Sequence, residues 1–312
     1  MRIVIMGAGA VGGYFGARLA AAGEDVTFVA RGAHLEAMRT GGLRIESGLG
    51  DLSLDRVNAT DDLTGHETAE IVLFLVKLYD TVEGIDAIKP VVGPNTLVTS
   101  FQNGISAEAE LTSAFGDDRA AGGVAYIAAD VRAPGVIRHT SQFARLLAGT
   151  FDGRTDQKLT RLAEVAERAG VEIDVVDDIR KRIWEKFVML TAFSAMTSLT
   201  RLPIGPILDD ALCNGLYREA VEESFNVARH YEPSVDPGFV DQHMHRVEGF
   251  PPNMRSSMLD DLLRGKRLEV DELSGRVAAL AVAAGIQAPF HAMVAAALNP
   301  YRNGAPEGAV DG

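Results

Sequence analysis

Two sets of residues in this chain of 312 residues could do chemistry. The first is Gly7-Ala8-Gly9-Ala10-Val11-Gly12, a G-x-G-x-x-G spacing directly after the apolar run Arg2-Ile3-Val4-Ile5-Met6. Gly7 permits a tight exit from a strand, Gly9 leaves no Cβ to hold a pyrophosphate away, and Gly12 lets the next helix lie close to the sheet. That helix, expected from Val11 to Ala21, offers unpaired N–H groups and a positive dipole end to a phosphate. Gly7, Ala8, Gly9, Ala10, Val11 and Gly12 are therefore candidate dinucleotide-binding residues, and Gly13 and Gly16 permit still closer packing.

The second set lies far along the chain. Lys186 stands in Arg182-Ile183-Trp184-Glu185-Lys186-Phe187-Val188-Met189-Leu190, ahead of a nearly uncharged stretch that continues to Leu199. Such a lysine either lines a cleft or snorkels to water. In a cleft, desolvation and an anionic substrate shift its pKa in opposite directions. Glu269, after Lys266-Arg267-Leu268, is expected to open a helix running to Ala284, where negative charge suits the first turn. Ser256 and Ser257 either donate hydroxyl hydrogen bonds or cap a helix. Reduction of a carbonyl by a nicotinamide requires a proton donor near the carbonyl oxygen and a group that orients the substrate, which are roles a lysine and a carboxylate can fill.

These residues need elements to hold them. Val26-Thr27-Phe28-Val29 reads as the second strand of a βαβ unit, followed by Ala30 and Arg31 where an NAD-selective site would carry Asp or Glu. A guanidinium there grips a 2'-phosphate, so Arg31 argues for NADP; the alternative is an ordinary surface arginine. Further apolar runs at 71–76, 97–100 and 122–127 alternate with helical patterns, which is the mark of an open α/β sheet. Residues 135–148 are expected to add antiparallel strands at its edge, and 156–169 a helix before a strand at 171–173. From Ile179 onward the period is helical, through Ile183, Phe187 and Leu190, and then Leu208, Leu212, Leu216, Ala220 and Ser224, with Asp209 as a helix cap. Helices are also expected over 236–248 and 289–298. The expected fold is α/β: a Rossmann-like dinucleotide-binding domain over 1–175 and an all-helical substrate-binding and dimerisation domain over 176–312, with substrate in a cleft between them.

Composition narrows the class. Thirty basic against 43 acidic residues give a net charge of −13, which disfavours nucleic acid as a partner. No apolar run approaches membrane-spanning length, the first strand leaves no room for a signal peptide, and the single Cys213 cannot form an intrachain disulfide, so a cytoplasmic protein is expected. His243 and His245 are two apart on different helix faces and His230 lies at no matching interval, so no metal site is expected. Trp184 is read as packing for the Lys186 helix.

In order along the chain, Gly7 to Gly12, Val76-Lys77, Gln102-Asn103-Gly104, Trp184-x-Lys186, and Arg255-Ser256-Ser257-Met258-Leu259-x-Asp261 followed by Leu268-Glu269 resemble the ketopantoate reductase family. The resemblance implies NADPH-dependent reduction of 2-dehydropantoate, a 2-keto acid, to pantoate, and it suggests a homodimer. It also implies that Lys186 is catalytic, that Glu269 orients the substrate, that Ser257 contacts it, and that Lys77 and Asn103 lie near the nicotinamide, with Asn103 reaching substrate as well. The family usually carries asparagines four and eight residues after the lysine and just before the Arg-Ser-Ser motif. Here those positions hold Leu190, Ser194 and Met254. Leucine and methionine make no amide hydrogen bonds and Ser194 is a shorter substitute, so the resemblance leaves open a less polar 2-keto acid or carbonyl substrate.

Overall fold

The computed structural model describes residues 1–308. It divides into two units, Met1–Arg180 and the part from Lys181 onward. In the first unit, β1 (Arg2–Met6), α1 (Ala10–Ala21), β2 (Asp25–Val29) and α2 (Gly32–Gly41) lead to β3 (Leu43–Ser47), β4 (Leu52–Leu54) and β5 (Asn58–Thr60). Then come β6 (Ile71–Phe74), α3 (Thr81–Ile88), β7 (Leu97–Ser100), α4 (Ala107–Phe115), β8 (Ala120–Tyr126), β9 (Ala129–Ala133), β10 (Val136–His139), β11 (Arg145–Thr150), α5 (Gln157–Arg168) and β12 (Glu172–Val175).

The main sheet has the order β12-β11-β8-β7-β6-β1-β2-β5. Its pairs are parallel except β8 with β11. β1 runs in its interior between β6 and β2, with Ile3 opposite Val26 and Ile71, and Ile5 opposite Phe28 and Leu73. Period-two alternation sends Ile3 and Ile5 into one apolar cluster with Phe15, Leu19 and Phe28. Val4 and Met6 go into another with Val72 and Phe74. A strand buried on both faces must be continuously apolar, and β1 is from Ile3 to Met6.

The 135–148 segment departs from expectation. β11 does join the main sheet antiparallel to β8, but inside the edge, because β12 lies beyond it. β10 instead joins a second sheet of order β4-β3-β10-β9, parallel to β3 and antiparallel to β9. That sheet packs over α1: a Cβ on Gly13 would strike the Ile137 side chain.

The remaining elements are α6 (Ile179–Thr200), α7 (Ile204–Asp209), α8 (Ala211–Tyr231), α9 (Phe239–Val247), α10 (Ser257–Leu263), α11 (Ser274–Ala284) and α12 (Pro289–Leu298). Among the described residues this part holds no strand beyond an isolated bridge between Arg267 and Asn303. The cap of α8 is Asp210, whose carboxylate accepts from the N–H groups of Leu212 and Cys213 at 3.0 and 2.9 Å. Asp209, the expected cap, instead ends α7. The face of α8 also differs from expectation: Leu212 and Leu216 are exposed, whereas Tyr217, Ala220, Val221 and Ser224 are buried. Ser224 closes a polar network in this core, bonding Thr191 of α6 at 2.8 Å and His291 of α12 at 2.7 Å. Burial holds His291 neutral, its pKa lowered to about 4. No described helix is long and apolar enough to cross a membrane.

Candidate active site

In the first unit the glycine turn sits at the C-terminal end of β1. Gly7 has φ +99°, which a side chain resists, and a Cβ there would lie 2.8 Å from the Leu75 carbonyl carbon and the Val76 nitrogen. On Gly12 a Cβ would strike the Gly7 carbonyl oxygen, so α1 approaches the turn as closely as backbone allows. Gly9 differs. A Cβ there would meet no atom of the described residues within 4 Å, so their packing does not demand the glycine. Gly9 also precedes the first turn of α1, whose N–H groups lack helical acceptors. Open space at that position fits a ligand's phosphates.

The turn is held by bonds that sequence reasoning missed. Ala8 donates its N–H to the Val29 carbonyl at 2.8 Å and shares its carbonyl with His34 Nε2 at 2.9 Å. The Gly135 N–H donates to His34 Nδ1 at 3.1 Å, so Nδ1 is the acceptor and Nε2 carries the proton. Burial pushes the His34 pKa down, favouring this neutral form. A single histidine at the start of a helix carries no pattern that announces such a role.

Arg31 follows β2, caps α2 from an extended conformation, and is exposed, with Glu83 3.6 Å away. Lys77 follows β6 in extended conformation and opens a short turn over Leu78–Asp80. Because β6 and β7 pair in parallel, the Lys77 and Asn103 segments leave the sheet side by side. Gln102 joins them: its amide donates to the Val76 carbonyl at 3.0 Å and to Thr81 Oγ1 at 2.9 Å, and its carbonyl oxygen accepts from Ser100 at 3.1 Å. Lys77 and Asn103 are both half-buried.

In the second unit Lys186 is half-buried by area on α6. Desolvation lowers its pKa to about 8, against the opposing pull of the Glu269 carboxylate. An amine in this range is still mostly protonated near neutrality and gives up its proton far more readily than a surface lysine. Glu269 is 6% exposed. It does not open α11, which starts at Ser274; it lies in the loop before it. Its carbonyl accepts from the N–H groups of Glu272 and Leu273, a tight turn that the helical pattern of the following residues disguised. Trp184 packs as expected, stacked on Tyr231 with centroids 6.0 Å apart and edge-on to Phe187.

Four-residue spacing places Lys186, Leu190 and Ser194 along one slowly drifting stripe of α6. Leu190 and Met254 are half-buried. Ser194 and Ser198 are fully buried, and neither hydroxyl has a hydrogen-bond partner among the described residues. Ser198 was not singled out in the sequence, where its helix reads as uniformly apolar. Ser256 caps α10 by accepting from the Leu259 N–H at 3.0 Å, while Ser257, the first residue of that helix, is exposed. No group of described His, Cys, Asp and Glu residues could hold a metal ion.

A dinucleotide-type turn on a mostly parallel sheet, with a desolvated lysine and a buried carboxylate in a helical unit, defines a class: nucleotide-dependent oxidoreductases. The comparisons with known proteins agree. The family described as ketopantoate reductase PanE/ApbA matches residues 3–153, and its C-terminal counterpart matches residues 178–302. The chain belongs to this family. A 2-dehydropantoate 2-reductase of Mesorhizobium japonicum is 33% identical over 299 residues, 89% of this chain and 90% of that protein. An uncharacterized oxidoreductase, YkpB, of Bacillus subtilis is 29% identical over 96% of this chain and 99% of its own. A solved ketopantoate reductase from Ralstonia eutropha JMP134 superposes with a TM-score of 0.88 at 32% identity, covering 97% of this chain and 98% of its own.

Proposed function

We propose that this protein reduces 2-dehydropantoate to pantoate with NADPH, in the cytoplasm and as a homodimer. The observation that carries the reading is Lys186, an amine brought to about 8 by desolvation and coupled to the buried Glu269 carboxylate. The turn from Gly7 to Gly12 would hold the pyrophosphate, Arg31 the 2'-phosphate, and Lys77 and Asn103 would stand near the nicotinamide. A nicotinamide held by these residues would supply a hydride to the keto carbon. Lys186 donates its proton to the carbonyl oxygen as the carbon–oxygen double bond becomes single, leaving an alcohol and a neutral amine that water recharges. Its charge stabilises the developing alkoxide more than the ground-state carbonyl, which is where rate is gained. Glu269 accepts a hydrogen bond from a substrate hydroxyl, Ser257 donates one to the carboxylate, and Ser194 and Asn103 complete the polar contacts.

A second reading is favoured by Leu190 and Met254: reduction of a less polar 2-keto acid or carbonyl compound by the same machinery. Following NADPH oxidation with 2-dehydropantoate beside its dehydroxylated analogue and other branched 2-keto acids separates the two. Efficient use of 2-dehydropantoate with rejection of the analogue supports the first, and preference for the analogue supports the second. Absence of turnover across the whole panel counts against both.

A further inference from the structure

We propose that Thr197 and Ser256 are positioning residues, which together fix where Ser257 stands relative to the helix bearing Lys186 and Ser194. The proposal rests on the keto-acid reading above. Both residues are buried, at 0% and 2% exposure. Thr197 Oγ1 donates to the Phe193 carbonyl at 2.8 Å, which uses its one proton. Its contact with Ser256 Oγ at 2.7 Å is then made by the serine's proton, and Ser256 Oγ in turn accepts the Leu259 N–H at 3.0 Å.

The result is a directed chain from the Leu259 amide through Ser256 and Thr197 to the Phe193 carbonyl. It runs from α10 into α6, with every proton assigned. Capping α10 requires only that Ser256 accept; donating its proton into another helix does something more. That donation locks the residue next to Ser257 to α6, a turn beyond Ser194. The preceding segment is anchored separately, by Ile204 N–H to the Met254 carbonyl and Gly205 N–H to the Pro252 carbonyl, both at 2.9 Å. Those bonds reach α7. The Ser256–Thr197 bond reaches the helix that carries the proposed proton donor. Loss of a buried hydroxyl partner leaves an orphaned group, and misplacing a substrate contact by a fraction of an ångström weakens binding.

The test compares wild type with Thr197→Val, which keeps the volume and removes the hydroxyl, and Thr197→Ser, which keeps the hydroxyl. Thr197→Val should raise KM for the keto acid about tenfold, lower kcat less, and leave NADPH affinity within about twofold. Thr197→Ser should restore KM. Ser256→Ala combined with Thr197→Val should raise KM no further than the worse single variant, because the two share one bond. Hydrogen exchange at the Leu259 amide should quicken in Thr197→Val and not in Thr197→Ser. An unchanged KM in Thr197→Val, or a Thr197→Ser variant equally impaired, overturns the proposal. If wild type turns over no keto acid, the proposed function fails, and Leu259 exchange decides alone: unchanged protection in Thr197→Val overturns the hydroxyl chain.

Discussion

Glu269→Gln should move the alkaline limb of the pH–rate profile to lower pH. In the proposed mechanism reduction needs Lys186 protonated, and its pKa is lowered to about 8 by desolvation, with the Glu269 carboxylate holding it up. In wild type, kcat/KM should be flat below that value and fall as pH rises through it. At one unit above the pKa only about a tenth of the ammonium remains, so the rate at pH ~9 should be about a tenth of the plateau. Replacing the carboxylate by an amide removes the opposing charge and leaves desolvation in command. A shift of about one unit, the lower end of what a neighbouring opposite charge does, carries the limb to about 7. Such a shift corresponds to about 1.4 kcal/mol of lost preference for the charged amine. The assay is NADPH oxidation at subsaturating keto acid from pH 6 to 10, with cofactor saturating. Because Glu269 is also assigned to the substrate, the height of the profile will fall too; the position of the limb is the diagnostic quantity. A limb that stays in place or moves to higher pH would refute the electrostatic pairing.

The other predictions address cofactor, turn and pocket. Arg31→Ala should weaken NADPH binding roughly 10- to 100-fold and NADH far less, as expected for lost charged hydrogen bonds to a phosphate; equal losses in a direct titration would remove Arg31 from cofactor selection. Gly12→Ala should destabilise the first unit by about 1–3 kcal/mol, since the new methyl meets the Gly7 carbonyl and lies 2.9 Å from Ile5 Cγ2. An unchanged Tm would contradict that close approach. Leu190→Asn should shift the kcat/KM ratio toward 2-dehydropantoate over its dehydroxylated analogue by about tenfold, and an unchanged ratio would place Leu190 outside the pocket.

Local rules made much of the fold legible. The run from Ile3 to Met6 and the spacing of Gly7, Gly9 and Gly12 announce a strand, a turn and a helix, because Gly7 and Gly12 meet steric demands of the close-packed backbone and Gly9 leaves open space beside the turn. Helical periodicity likewise revealed α5, α6 and α12. Non-local choices were hidden. β10 pairs with β3, about ninety positions earlier, and nothing in either segment names the other. The stripe containing Leu212 and Leu216 has a helical period, but period alone does not say which side is covered, and the bulkier Tyr217 faces the core. Glu269 reads in the sequence as the first residue of a helix, yet its turn depends on backbone bonds that leave no trace in side-chain pattern. His34 and Thr197 were silent for a related reason: their partners are backbone or hydroxyl groups brought near only by folding.

In the proposed reaction Lys186 delivers the proton while the glycine-rich turn holds the cofactor. The most direct test is single-turnover hydride transfer in Lys186→Ala, with NADPH affinity measured on the same preparation. NADPH should bind within about twofold of wild type while transfer to the preferred keto acid slows about 10²- to 10⁴-fold, the usual worth of a positioned general acid. Transfer at the wild-type rate would contradict that role of Lys186.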